Sequence, residues 1–135
     1  MVESPRSSQR GRVLVWGACG FVGRHLVGEL CARGHRVSVL TRERTRYPAT
    51  VWEAEVDWYE LKGEPVHDAR VISAAVAGVK VVYDLAGSTG AVPSNRDPLD
   101  SLQRNNVALL EVLEAIRLEG GRPRVVLASS RLEYL

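Results

Sequence analysis

Gly17, Gly20 and Gly23 stand at intervals of three residues. They follow the short apolar run Arg12–Trp16 and precede a helical pattern. A strand that turns through glycines into a helix brings unpaired N–H groups and the positive end of a helix dipole to one point, which favours phosphate. Glycine also lets the backbone approach a ligand closely. The spacing predicts an anion site; tight packing of an ordinary strand–turn–helix corner is the alternative.

The elements that must hold this corner alternate between strands and helices. Strand, helix and strand follow one another here within about 30 residues, a βαβ unit with parallel strands and a right-handed crossover. A glycine after the first helix and Asp–Pro before the last are typical helix boundaries. Hydrophobic periodicity predicts strands at 12–16, 36–41, 56–62, 79–86 and 124–128, and helices at 21–33, from Asp68 onward and from Pro98 to about Glu119.

The string GACGFVG at 17–23 resembles the extended branch of the short-chain dehydrogenase/reductase superfamily, the NAD(P)-dependent epimerase/dehydratase family. The resemblance implies an α/β fold, a Rossmann-type doubly wound parallel sheet of about five strands in the order 3-2-1-4-5. Residues 11–135 would be a truncated NAD(P)-binding domain without the C-terminal part of the usual fold, and the polar residues 1–10 a disordered tail. The family acts largely on nucleotide-linked sugars. Implied cofactor contacts in the corner are Gly17, Cys19, Gly20, Phe21, Val22 and Gly23.

The end of the second strand bears on the choice of cofactor. Folds that bind NAD place an acid about 20 residues past the glycines, on the ribose 2′-hydroxyl. Thr41 and Arg42 stand at that place here, and Glu43 follows. Arginine pairs with a 2′-phosphate that a carboxylate would repel, so these residues favour NADP over NAD. Two alternatives stay open: Glu43 turns inward to bind NAD, or Arg42, Arg44 and Arg46 form a solvated loop.

The resemblance implies further cofactor contacts after the third and fourth strands. Glu64 is the nearest match to the family's acid beside the adenine amine. Leu85, Ala86 and Gly87 match small residues that lie along the ribose and pyrophosphate. Asp84 stands where the family more often has histidine.

Two more residues match positions near the family's active site. Asn106 corresponds to an asparagine that precedes valine in the long helix and helps to organise backbone and water there. A solvent-facing asparagine pair is the alternative. Ser130 aligns with the active-site Ser/Thr that hydrogen-bonds the reacting sugar hydroxyl or carbonyl, and Tyr134 aligns with a tyrosine that is not catalytic.

The Tyr-x-x-x-Lys pair on which the family's proton transfer depends does not occur in this sequence. In the family, the lysine lowers the tyrosine pKa and binds the nicotinamide ribose. We therefore expect no hydride transfer by this chain alone. The segments that normally cover one side of the sheet are also missing, and large exposed apolar surfaces mark interfaces. Expected alternatives are a fragment of a longer enzyme, a homo-oligomer, or a chain completed by a second polypeptide.

Composition limits the classes of protein and partner to be considered. The chain has 135 residues, the size of one domain, and its net charge of +2 indicates neither nucleic-acid nor membrane binding. Cys19 and Cys31 lack the spacing of metal ligands, so no metal site is predicted and a reduced, cytoplasmic protein is expected. No signal peptide or apolar run of about 20 residues is present in the sequence.

Two functions from different classes follow. The first is the cofactor-binding portion of an NADP- or NAD-dependent nucleotide-sugar epimerase, dehydratase or ketoreductase. The second is a non-catalytic module for dinucleotide binding or protein interaction, favoured by the departures from the family pattern at Trp16, Glu64 and Asp84. A non-functional truncation product is a third possibility.

Overall fold

The computed structural model describes residues 11–42, 44, 55–62, 68–87 and 95–129. Five parallel strands form one sheet in the order β3-β2-β1-β4-β5, which confirms the predicted fold class and strand order. The strands are β1 (Arg12–Trp16), β2 (Val37–Thr41), β3 (Asp57–Glu60), β4 (Val79–Asp84) and β5 (Arg124–Leu127).

Helices connect the strands and end where capping residues predict. Asp68 accepts a hydrogen bond from the Arg70 N–H at 2.9 Å before α2, and Asp97 caps α3. Gly120, with φ of 70°, ends the last helix in the left-handed conformation that glycine tolerates. The helices are α1 (Phe21–Ala32), α2 (Ala69–Val76), α3 (Pro98–Leu102) and α4 (Ala108–Glu119), and a π-helical segment (Gln103–Val107) joins α3 to α4.

The core has two layers, one on each face of the sheet. Val15, Val27 and Val39 belong to the layer under α1. The other face packs against α2 and α4, with Leu14, Leu40, Ile72, Val82 and Val112 buried there. Every residue of β2 is buried, as expected of a central parallel strand, whereas Val126 and Leu127 of the edge strand β5 are exposed.

Arg12, at the start of β1, links side chains of β2 and β3 to the end of α2. Its guanidinium donates to Ser38 Oγ at 2.7 Å and to the Ala77 carbonyl at 2.8 Å, and it also hydrogen-bonds the Tyr59 hydroxyl. The Tyr59 ring centroid is 5.2 Å from the guanidinium carbon, within cation–π range. This cluster lies at the end of the sheet opposite the glycine turn and therefore acts on stability.

Candidate cofactor site at the glycine corner

The turn after β1 passes close to the backbone that follows β4. Gly17 has a φ of 84°, where side chains other than glycine are strained. A Cβ on Gly17 would lie 2.6 Å from the Leu85 carbonyl carbon and 2.7 Å from the Ala86 nitrogen. Glycine is thus required at this position twice, by conformation and by space.

Gly23 brings α1 down onto the same turn. A Cβ at this position would lie only 2.1 Å from the Gly17 carbonyl oxygen. Gly20 differs, because its Cβ would meet nothing nearer than the Gly17 oxygen at 3.4 Å. Packing within the chain therefore explains Gly17 and Gly23 but leaves Gly20 open to another explanation, the approach of a ligand.

The amino end of α1 has the features of a phosphate site. Gly20 is the N-cap, and no side chain of the described residues makes a capping hydrogen bond to the helix, so the structure shows no side-chain cap for the N–H groups of the first turn. The first turn contains no acid, and Phe21 and Val22 are 74% and 63% exposed. These residues fit the pyrophosphate of a dinucleotide, because uncapped N–H groups and the helix dipole both stabilise negative charge.

The end of β2 lies beside the glycine corner. Cys19 Sγ donates to Thr41 Oγ1 at 3.7 Å, and Thr41 is buried. Arg42 follows Thr41 and is partly buried. The described part of the following loop therefore starts at the edge of the corner, and the cofactor roles of Thr41 and Arg42 stay predictions.

Asp84 shapes the backbone that lines the other side of the corner. Its carboxylate accepts a hydrogen bond from the Ala86 N–H at 3.1 Å, and burial raises its pKa above the ordinary value for aspartate. Trp16, its register partner on β1, is 3% exposed and belongs to the core layer with Leu14 and Val82. Both departures from the family pattern thus lie in the packed end of the sheet.

The structure brings Asn105 to Gly87, just after the end of β4. A Cβ on Gly87 would lie 2.6 Å from Asn105 Oδ1, while Asn106 is exposed. The Asn105 amide also donates to Ser101 Oγ at 3.3 Å. The sequence analysis singled out Asn106; the two adjacent asparagines are visible in the sequence, but which of them lies beside Gly87 is not, and the role of Asn106 stays a prediction.

Several predicted residues lie outside the described ranges: Glu43, Arg46, Glu64, Ser130 and Tyr134. Their roles therefore stay predictions. Within the described ranges, no three His, Cys, Asp or Glu residues are grouped as metal ligands would be. None of the described helices is long and apolar enough to cross a membrane.

Comparison with known sequences places these features in a family. The sequence model of the NAD dependent epimerase/dehydratase family matches residues 13–134. The chain is 38% identical over 86 residues to a 3 beta-hydroxysteroid dehydrogenase/Delta 5-->4-isomerase of Mycobacterium tuberculosis, covering 64% of this chain and 22% of that relative. It is 27% identical over 125 residues to UDP-glucuronic acid decarboxylase 1 of Danio rerio, covering 93% of this chain and 28% of that relative.

Solved structures of nucleotide-sugar-binding and NAD-binding proteins are also similar to this chain. MoeE5 in complex with UDP-glucuronic acid and NAD superposes with a TM-score of 0.69 at 32% identity, over 89% of this chain and 37% of that one. The UDP-glucose 4-epimerase of Thermus thermophilus in complex with NAD has a TM-score of 0.70 at 28% identity, over 88% of this chain and 37% of that one. The chain spans well under half of each protein.

Proposed function

Because this chain belongs to the NAD dependent epimerase/dehydratase family, we propose that it is the cofactor-binding portion of a nucleotide-sugar enzyme. The proposed reaction of the complete enzyme is epimerisation, dehydration or keto reduction. The UDP-glucuronic acid, UDP-glucose and NAD named for its structural neighbours support this substrate class and cofactor type. A cytoplasmic location accords with that function.

The observation that carries the proposal is the spare room at Gly20. Gly17 and Gly23 are required by contacts within the chain. Gly20 is the N-cap residue of a helix without a side-chain cap, and among the described atoms its Cβ would meet only the Gly17 oxygen, at 3.4 Å. An approaching pyrophosphate supplies the reason for glycine there, since its oxygens need the first-turn N–H groups.

Other residues take roles around this anchor. Leu85, Ala86 and Gly87 line the cofactor's ribose and pyrophosphate side, with Asn105 or Asn106 nearby. The bound cofactor supplies hydride transfer at a sugar carbon. Ser130 and Glu64 lie outside the described ranges; for them we propose the roles that the family resemblance implies, a hydrogen bond to the reacting oxygen for Ser130 and a contact with the adenine amine for Glu64. A further segment or partner chain supplies the tyrosine and lysine.

We propose NADP as the preferred cofactor, with NAD as the alternative. Arg42 follows Thr41 at the end of β2, where NAD-binding folds carry an acid, and it is the first candidate to pair with a 2′-phosphate. Arg42→Asp should weaken the binding of NADPH and leave the affinity for NADH unchanged. Equal NADPH affinity in wild type and variant would remove Arg42 from this role.

A non-catalytic binding module is the second candidate function. Burial of Trp16 and Asp84 at the cofactor end of the sheet favours it, because family members more often carry other residues there. This candidate predicts dinucleotide binding without turnover in any mixture with a partner chain.

We also propose association with a second copy or a completing chain. An apolar groove of about 530 Å³ between α2 and α4, bordered by Ile72, Leu110 and Leu118, supports association, as do the exposed Val126 and Leu127 of β5. Light scattering on the purified chain should give a mass above that of one copy. A soluble species of 14.8 kDa would overturn association with a second copy and leave the completing chain as the remaining proposal.

The central test is a titration of the chain with NADPH and NADH, followed by fluorescence and thermal shift. Gly20→Val should weaken both dinucleotides by about tenfold or more, because the new side chain occupies the phosphate approach. Gly34→Asn is the matched control: the φ of Gly34 is 76°, which suits asparagine, and no atom of the described residues lies within 4 Å of its Cβ position. Absence of binding by wild type, or undiminished binding by Gly20→Val, would overturn the proposal.

A further inference from the structure

Asp84 is a carboxylate buried at the carboxyl end of β4, beside the glycine corner. It is 9% exposed and accepts a hydrogen bond from the Ala86 N–H at 3.1 Å. Its register partners are Trp16 on β1 and Leu127 on β5, which carry no charge. The strands on both sides therefore offer the carboxylate no counter-charge, although a buried ionised carboxylate is costly without one.

The backbone that Asp84 holds forms one wall of the glycine corner. A Cβ on Gly17 would lie 2.7 Å from the Ala86 nitrogen, the same atom that donates to Asp84. One residue later, a Cβ on Gly87 would lie 2.6 Å from Asn105 Oδ1. The Asp84 carboxyl thus acts on the corner through this backbone, and it is a positioning residue.

A negative charge on Asp84 lies near the place proposed for the pyrophosphate. Trp16 pairs with Asp84 and directly precedes Gly17, whose carbonyl accepts from the Gly20 N–H at 3.1 Å. The strand spacing of about 5 Å and this short turn place the amino end of α1 within about 15 Å of Asp84. Buried charges are screened less than exposed ones, so a bound pyrophosphate disfavours the ionised form of this carboxyl.

Other titratable groups near the corner have to be separated from Asp84. Burial raises the pKa of Asp84, and the hydrogen bond from the Ala86 N–H opposes that rise. Histidine is the side-chain type that changes charge near neutral pH, and His25 Nδ1 lies 2.7 Å from the Phe21 carbonyl oxygen on α1. Charged or titratable side chains on the neighbouring elements also include Cys19, Arg24, Arg42, Arg70, Arg104 and Glu111.

We propose that Asp84 couples dinucleotide binding to proton uptake, because its neutral carboxyl still accepts the Ala86 N–H while its charged form opposes the pyrophosphate. This inference rests on the proposed function, since it needs a dinucleotide in the glycine corner. The proton comes from solvent and is bound by the carboxylate, and no bond of the cofactor changes. Since the complex binds more protons than the free chain, affinity falls as pH rises through the pKa of Asp84 in the complex.

The test measures the dissociation constant for NADH with the full chain between about pH 5 and pH 8. NADH is used because it lacks the 2′-phosphate, which itself titrates near neutral pH. Wild type should bind about threefold to tenfold more weakly at the upper end, since a shift of one pKa unit changes affinity at most tenfold. Calorimetry in two buffers of different ionisation enthalpy should show uptake of a fraction of a proton near the middle of the range.

Three variants assign the proton. Asp84→Asn is always neutral and keeps an acceptor for Ala86, so it should bind NADH with little pH dependence, without proton uptake, and more tightly than wild type at the upper end. Asp84→Leu removes the acceptor and should weaken NADH at every pH. His25→Gln is the matched control, because it removes a titratable group of α1 and should leave the Asp84-dependent change in place.

The outcomes separate this inference from the proposed function. Failure of wild type to bind NADH at any pH overturns the proposed function, and this inference with it. Binding with the same affinity across the range overturns this inference alone. So does a pH dependence that persists in Asp84→Asn or disappears in His25→Gln, and so does an equal loss of affinity at every pH in Asp84→Asn, which would indicate a purely structural role. If Asp84→Leu does not fold, the comparison of wild type with Asp84→Asn still decides.

Discussion

Replacing Gly23 with alanine tests the close packing of α1 on the glycine turn. The new Cβ would lie 2.1 Å from the Gly17 oxygen, 2.7 Å from the Ala18 Cα and 2.8 Å from the Gly17 carbonyl carbon. All three atoms belong to backbone, so no flexible side chain can move aside. The turn and helix must separate by more than an ångström at the nearest contact to restore ordinary spacing.

The expected cost follows from two opposing effects. Overpacking of a tightly packed site costs about 1–3 kcal/mol, while alanine improves helix propensity by about 0.5–1 kcal/mol. We expect Gly23→Ala to lower the free energy of unfolding by about 1–2 kcal/mol and the thermal midpoint by about 5 °C. Urea unfolding followed by circular dichroism measures the first quantity, and a thermal melt measures the second.

Gly20→Ala is the matched control within the same motif. Its Cβ meets only the Gly17 oxygen, at 3.4 Å, and an alanine N-cap costs about 0.5 kcal/mol relative to glycine. If Gly23→Ala were as stable as Gly20→Ala, the close approach of α1 to the turn would be wrong. The dinucleotide affinity of Gly23→Ala should also fall, since a displaced helix no longer presents its N–H groups at the corner.

Two further predictions concern stability. Because burial raises the folded-state pKa of Asp84, the native chain holds its proton to higher pH than the unfolded chain, and stability from this group is lost as pH rises through the folded pKa. Asp84→Asn keeps an acceptor for the Ala86 N–H and should be more stable than wild type at pH 7, with the difference shrinking toward pH 4; a pH-independent difference would contradict this. Arg12→Met should lower the free energy of unfolding by about 2 kcal/mol, because charged hydrogen bonds are lost. Arg36→Met, which removes an exposed ion pair with Asp57, should lower it by less than about 1 kcal/mol. Equal losses for the two variants in urea unfolding would refute the role of Arg12.

The sheet was predictable because apolar periodicity and capping residues act locally. The predicted β1 matches the observed strand, and Asp68 and Asp97 cap helices as expected. Strand ends were less accurate: the third strand covers Asp57–Glu60 rather than 56–62, because pairing with β2 and not apolar content sets its length. Resemblance to a known family supplied the strand order, which periodicity alone does not contain.

The site was predictable only in part. Glycine spacing located the corner, yet the sequence did not show that Gly17 and Gly23 are required by internal contacts while Gly20 is not. The sequence also did not indicate contacts between residues distant in sequence, such as the cation–π contact of Arg44 with Trp58. These are properties of tertiary packing, which no local pattern encodes.

The π-helical segment Gln103–Val107 carries a consequence for how this chain tolerates insertions and deletions. The wider π-helical turn contains one extra residue. The side chains of α3 therefore face in a different direction around the helix axis than an uninterrupted α-helix from α3 to α4 would place them. Deleting a single residue there would rotate everything upstream by about 100° while leaving the packed half in place. Which of two chemically identical side-chain amides lies beside Gly87 therefore depends on the number of residues before α4: with α4 fixed, inserting one residue after Asn106 would move Asn106 into the place of Asn105 without altering either amino acid.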